Sequence, residues 1–283
     1  MIDAPLGIYE KAMPAGSWAE TCRRASELEF SFVELSVDES KERRARLWWG
    51  REEREELVRT ACNEGVRVPS ICLSGNRKAP IGSSDPATVA EGLDILRRGI
   101  ELADGIGARI VQVAGYDVYY GEESTPATRA RFVENLARAV GWAADRGVML
   151  AVEIMDTRFM SSISRFLHVK QQIPSPWLSV YPDLGNLSAW NDNAVEELEL
   201  GLRLGIVAAI HIKDTYAVTA TSPGQFRDVP FGTGCVDFPA LFAVLARHDY
   251  RGSLLIEMWN RGEPGIEAVA SARDWVRTRL AAI

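Results

Sequence analysis

The sequence predicts an α/β fold, a (β/α)8 TIM barrel, formed as a single domain over residues 1–283. Three observations predict it. Short apolar runs of strand length alternate with longer segments of helical period or helix-forming composition along the whole chain. No low-complexity tract or Pro/Gly/Ser-rich linker divides the 283 residues. Several of the runs carry an acidic residue or a histidine near their C-terminal end, the face on which barrels of this kind build their sites. Strict alternation gives a parallel sheet through right-handed crossovers, and eight units close it.

The strand candidates are Leu6 to Glu10, Phe32 to Val37, Val68 to Ser74, Arg109 to Tyr116, Val148 to Met155, Leu178 to Asp183, Ile206 to Lys213 and Ser253 to Trp259. Between and after them lie the helix candidates Trp18 to Glu29, Arg51 to Glu64, Pro86 to Ile106, Pro126 to Arg146, Ile163 to Gln172, Ala194 to Leu204, Phe238 to His248 and Ile266 to Leu280. Ser84-Asp85-Pro86 and Ser124-Thr125-Pro126 read as helix starts, a polar cap followed by proline in the first turn. Gly65, Gly107, Gly147 and Gly205 suit left-handed helix ends. A doubly wound open sheet is the alternative, but Gly7 to Gly16 after the first strand contains no GxGxxG phosphate loop.

Composition narrows the partners. A formal charge of −7 and a pI near 5.2 argue against nucleic acid, whose phosphates need a basic face. The four cysteines, Cys22, Cys62, Cys72 and Cys235, show no metal-ribbon spacing and read as reduced thiols. Nothing reaches the roughly 18 apolar residues of a membrane span, and the N-terminus has no signal-peptide pattern. The expected location is the cytoplasm.

Of three histidines, only His211 ends an apolar run, Gly205 to Ile210, and Lys213 and Asp214 follow it. Alone it reads more readily as a core imidazole bonded to backbone than as a ligand. The neighbouring units change the balance: Glu153, Asp183 and Glu257 each interrupt apolar sequence near a strand end. An unpaired buried carboxylate is costly, so these three need a cation or one another. Three carboxylates and one imidazole from four consecutive strands form an oxygen-rich set suited to Mn²⁺, Mg²⁺, Co²⁺ or Zn²⁺. Salt bridges to barrel lysine or arginine are the competing explanation, Lys213 being nearest in sequence.

Leu6-Gly-Ile-Tyr-Glu-Lys11, Phe32-Val-Glu-Leu-Ser-Val-Asp38, Ala114-Gly-Tyr-Asp-Val-Tyr-Tyr120, Tyr181-Pro-Asp-Leu-Gly-Asn-Leu-Ser-Ala-Trp190, His211-Ile-Lys-Asp-Thr215, Val229-Pro-Phe-Gly232 and Ile256-Glu-Met-Trp259 resemble the L-ribulose-5-phosphate 3-epimerases, also called L-xylulose-5-phosphate 3-epimerases, of L-ascorbate utilisation. The likeness runs from near residue 5 to Ala272-Arg-Asp-Trp-Val276. More widely the chain is similar to the xylose-isomerase-like barrels. The resemblance implies one divalent ion, Mn²⁺ or Zn²⁺ foremost, on Glu153, Asp183, His211 and Glu257, and acid/base roles for Glu153 and Glu257. It also implies a phosphorylated ketose substrate and, by analogy and base rate, a homodimer.

The chain departs from the wider family at Asn186, where a substrate-binding histidine is common, and at Ala217, where an arginine is common. Asn186, Lys213, Lys11, Glu10 and Tyr116 are candidates for sugar contacts, Lys11 and Lys213 equally for phosphate oxygens, and Glu10 also for orienting Lys11 or a hydroxyl. Asn76, Arg77 and Lys78, in a glycine-containing loop after the third strand, are candidates for the phosphate and equally a solvated surface group. Tyr119, Tyr120, Trp48 and Trp49 either cover the site or pack elsewhere. Other readings are an epimerase or aldose–ketose isomerase for another sugar, a barrel that binds sugar without turnover, and a DNA-repair nuclease, which needs more histidines than this chain has.

Overall fold

A computed structural model describes residues 2–190, 193–259 and 265–283. Its eight strands are β1 (Leu6–Tyr9), β2 (Phe32–Val37), β3 (Ser70–Leu73), β4 (Ile110–Ala114), β5 (Met149–Glu153), β6 (Leu178–Tyr181), β7 (Ile210–Ile212) and β8 (Leu254–Ile256). Every pairing is parallel, and the order β6-β5-β4-β3-β2-β1-β8-β7 brings first and last strands together around a ring. Isolated bridges Val180↔Val207 and Asp183↔His211 cross the remaining seam. There Val180 N donates to Ile206 O and Ala208 N to Val180 O, both at 2.9 Å. The run expected as one strand from Ile206 to Lys213 is therefore split: its first half is stitched to β6, and only Ile210–Ile212 pairs continuously with β8.

The helices are α1 (Trp18–Glu27), α2 (Lys41–Ala45), α3 (Arg51–Asn63), α4 (Pro86–Ile106), α5 (Pro126–Ala144), α6 (Ile163–Gln172), α7 (Leu184–Trp190), α8 (Ala194–Arg203), α9 (Phe238–Arg247) and α10 (Ile266–Ala281). Two were not expected: α2 and α7 are short and sit in the loops after β2 and β6. The cap chemistry is as the sequence reads. Asp85 accepts from Ala87 N and Thr88 N ahead of Pro86, and Thr125 accepts from Thr128 N ahead of Pro126. Gly65, Gly107, Gly147 and Gly205 all have φ between 63° and 75°, the left-handed turn that lets each helix stop and feed the next strand.

The apolar side chains sort into two layers. One large cluster, including Ile8, Leu35, Ile71, Val111, Leu150 and Ile256, lies between strands and helices. A smaller one, Tyr9, Phe32, Cys72 and Leu255, fills the barrel's interior. Gly7 makes room for it: a Cβ there would meet the Phe32 ring at 2.2 Å. Above this plug the inward positions turn polar, with Glu34, Gln112, Glu153, Tyr181 and His211 stacked toward the C-terminal mouth.

Candidate metal centre and active site

Glu153 ends β5, Asp183 lies two residues past β6, His211 is central in β7 and Glu257 follows β8. Strand alternation turns all four inward, and one donor atom from each lies within 4.8 Å of the others. His211 Nδ1 is 3.0 Å from Glu153 Oε1 and 3.9 Å from both Asp183 Oδ2 and Glu257 Oε1. All are at most 4% exposed. Asp183 Oδ2 is buried, and among the described residues it meets no hydrogen bond in good geometry, its nearest cation being the Lys213 ammonium at 3.0 Å. Three carboxylates and one imidazole converging on a common point fit a hard divalent cation.

The charges press on one another. Burial raises the Asp183 carboxyl to about 7, helped by Glu257 and Glu153 and opposed by Lys213. Burial works against the Glu257 charge too, but Lys213 and His211 outweigh it and hold that carboxyl at about 2. His211 is pushed down by burial yet ends well above the ordinary histidine value, because Glu34, Glu257 and Glu153 surround it.

Lys213 enters the same box. Its Nζ donates to Glu257 Oε2 at 2.8 Å and lies 3.0 Å from Asp183 Oδ2. Asn186 stands in the first turn of α7, its backbone N–H donating to Asp183 Oδ1 and its side-chain amide to Ile154 O, both at 2.7 Å. Among the described residues its Oδ1 has no hydrogen-bond partner, and the residue lines the cleft over the cluster. Tyr116 lines it as well and donates to Asp156, which also receives Tyr120 OH at 2.5 Å.

Other expected residues lie elsewhere. Glu10 does not orient Lys11: Arg46 Nη1 and Nη2 bind its carboxylate at 2.6 and 2.8 Å, while Lys11 Nζ donates to Asp38 at 2.7 Å. Asn76 is buried and its amide donates to Gly92 O at 3.0 Å; Lys78 is exposed; Arg77 alone of the three lines the cleft. Trp48 and Trp49 do not cover the cluster. Trp48 faces Arg98 of α4 at 4.9 Å, and Trp49 packs by Arg46.

Three residues escaped the sequence reading. Glu34 accepts from His211 behind the cluster. Gln112 donates to the Glu153 carboxylate. Arg227, from the long segment after β7, lies over the Trp259 ring at 5.0 Å and lines the cleft. It also lines an adjoining cavity of about 580 Å³ that shares Lys213 and Glu257 and extends to Phe231 and Trp275. In the folded barrel Glu34 of β2 and Gln112 of β4 face the cluster, which the strand register decides and no local pattern reveals.

Comparison with known proteins places this geometry. The model of the xylose isomerase-like TIM barrel family matches residues 22–279. The chain is 51% identical over 278 residues to the putative L-ribulose-5-phosphate 3-epimerase SgbU of Escherichia coli (strain K12), covering 97% of this chain and 96% of that one. It is 49% identical over 279 residues to the L-ribulose-5-phosphate 3-epimerase UlaE of Salmonella paratyphi C (strain RKS4594), covering 98% and 95%. Among solved structures, an L-ribulose 3-epimerase superposes with a TM-score of 0.79 at 19% identity, over 99% of this chain and 95% of its own. The 3-keto-D-glucoside 4-epimerase YcjR of E. coli gives 0.78 at 19%, over 97% and 99%. At that identity the structures speak to the fold.

Proposed function

The chain belongs to the xylose isomerase-like TIM barrel family and within it to the L-ribulose-5-phosphate 3-epimerases. From that premise we propose that it inverts C3 of L-ribulose 5-phosphate to give L-xylulose 5-phosphate, and the reverse, with a divalent cation. The observation that carries this reading is the convergence of Glu153, Asp183, His211 and Glu257 on one point at the barrel mouth.

Inverting a carbon beside a ketone requires removal of a weakly acidic proton and its return to the opposite face. Glu153 and Glu257 come from strands on different sides of the ring, so each can serve one face of a sugar lying between them. Gln112 holds Glu153 and Lys213 holds Glu257, which fixes both carboxylates for the transfer. A cation on the four ligands supplies positive charge for the oxyanion that develops as the proton leaves. The oxygen-rich donor set with one nitrogen suits Mn²⁺ or Zn²⁺, with Mg²⁺ and Co²⁺ next. Asn186 and Lys213 meet the sugar hydroxyls, and Tyr116 closes over them.

The phosphate is met by cations on the rim formed by β1, β2 and β3. Arg77 lines the cleft. Lys11 and Arg43 share the Asp38 carboxylate at 2.7 and 3.7 Å and remain partly exposed. Asn76 supports the loop and Lys78 adds charge from its edge. Residues 1–283 act as one domain in a cytoplasmic homodimer that serves L-ascorbate degradation. Among the described residues no helix is long and apolar enough to cross a membrane. Turnover on a panel of phosphorylated and free pentuloses tests the proposal: L-ribulose 5-phosphate is the preferred substrate, and preference for an unphosphorylated sugar overturns it.

A further inference from the structure

One buried carboxylate in the barrel interior belongs to none of the four ligand positions. Glu34, in the middle of β2, has no solvent exposure. Its Oε1 receives Ser70 Oγ at 2.7 Å and Tyr181 OH at 3.0 Å, and its Oε2 lies 2.9 Å from His211 Nε2. The three partners stand on β3, β6 and β7, so the carboxylate is tied across the barrel. Burying an ionised carboxylate there is costly, and every one of its polar contacts is to a donor that offsets the cost.

What the tie accomplishes follows from the chemistry of imidazole. A neutral ring offers a lone pair on one nitrogen only while the other carries the proton. Nε2 faces Glu34, an acceptor, and so keeps its hydrogen; Nδ1 faces the three carboxylates, and a cation held among them would take the lone pair on that nitrogen. The Tyr181 ring lies against the imidazole at 4.5 Å, so the residue that holds Glu34 also limits rotation of the ring it serves.

We propose that Glu34 is a positioning residue: it fixes the tautomer and plane of His211, and thereby sets the cluster's affinity for its cation. This rests on the reading of the four residues as a cation site. It assigns Glu34 no contact with substrate.

The test uses the full chain, freed of cation with a chelator and titrated with Mn²⁺ or Co²⁺ in solution. Glu34→Gln keeps the side-chain shape but sets an amide where the acceptor stood. The expected result is a cation affinity weaker by about 10- to 100-fold, the usual loss for a partner behind a ligating histidine. The visible absorption of the Co²⁺ form should also change. Tyr181→Phe and Ser70→Ala each remove one donor from Glu34 and should weaken the cation in the same direction by a smaller factor. An affinity within twofold of the parent and an unchanged Co²⁺ spectrum in Glu34→Gln overturn the proposal. Should that variant not fold, the same outcome in Tyr181→Phe does so. A parent protein that binds neither cation overturns the cation site itself, a result distinct from a parent that binds and variants that do not differ.

Discussion

Lys213 Nζ lies 2.8 Å from Glu257 Oε2 and 3.0 Å from Asp183 Oδ2, so a buried ammonium is shared by two of the four clustered residues. Burial pulls the lysine toward neutrality, but the charges of Asp183, Glu257 and Glu153 outweigh it and keep it protonated. A fixed positive charge beside the reacting oxygens is worth far more there than in water. Lys213→Met should therefore lower kcat/KM by about 100-fold, in the range for loss of one oriented donor. Lys213→Arg should recover little, because a planar fork does not replace a point charge between two carboxylates. Steady-state kinetics on both variants check this.

The two-base reading separates exchange from inversion. Glu153→Gln and Glu257→Gln should each cut epimerisation by at least about 10²-fold while circular dichroism stays that of the parent. In D₂O each variant retains one working carboxylate. It should still exchange the C3 hydrogen of the epimer that presents that hydrogen to the surviving glutamate, without forming the other epimer. Mass spectrometry of the recovered sugar reads this directly, and near-normal inversion in either variant contradicts the mechanism.

Arg77 and the Lys11–Arg43 pair divide the phosphate question. Arg77→Met and Lys11→Met should raise KM for the phosphorylated ketose about tenfold or more, consistent with loss of a charge-assisted hydrogen bond of about 1.5–3 kcal/mol. KM for the free pentulose should barely move. Lys78→Met, at an exposed position where a charge adds little, should raise KM for the phosphorylated ketose by no more than about twofold and leave the free pentulose unchanged.

Asp214 shapes the segment that carries Arg227. Its carboxylate accepts from Thr215 N, Gly232 N and Gly234 N, each at 2.9 Å. Gly234 is needed there because a Cβ would sit 2.1 Å from Asp214 Oδ1. Asp214→Ala leaves those buried or partly buried N–H groups without their acceptor, at a cost of about 1–3 kcal/mol. The expected result is a lower melting temperature and a raised KM as Arg227 loses its place. A KM equal to the parent's contradicts a role for this segment in binding.

The legible part of the molecule was the part written in local pattern. Eight apolar runs, polar caps before Pro86 and Pro126, and glycines such as Gly107 after helices gave the ring of units. A lone Glu153, Asp183 or Glu257 within apolar sequence marked the ends of strands. What register and long-range pairing decide was not legible. Both faces of β2 are buried, so nothing local distinguishes Glu34, which reaches His211 across the barrel, from an acidic residue paired outside it. Glu10 and Lys11 are adjacent in sequence yet take Arg46 and Asp38 as separate partners. Arg227 stands far from any strand, in a segment with no periodicity to place it. The short helix α7 follows from Asp183, whose Oδ1 takes the Asn186 N–H and starts the turn, a role hidden while that aspartate is read only as a ligand.

Solvent-hydrogen exchange with L-ribulose 5-phosphate in D₂O, before and after chelation, tests the central claim most directly. Deuterium should enter at C3 as L-xylulose 5-phosphate forms, stop when a chelator strips the divalent ion, and resume when Mn²⁺ or Zn²⁺ is restored. Exchange confined to C1, or C3 inversion that proceeds unchanged after complete chelation, contradicts it.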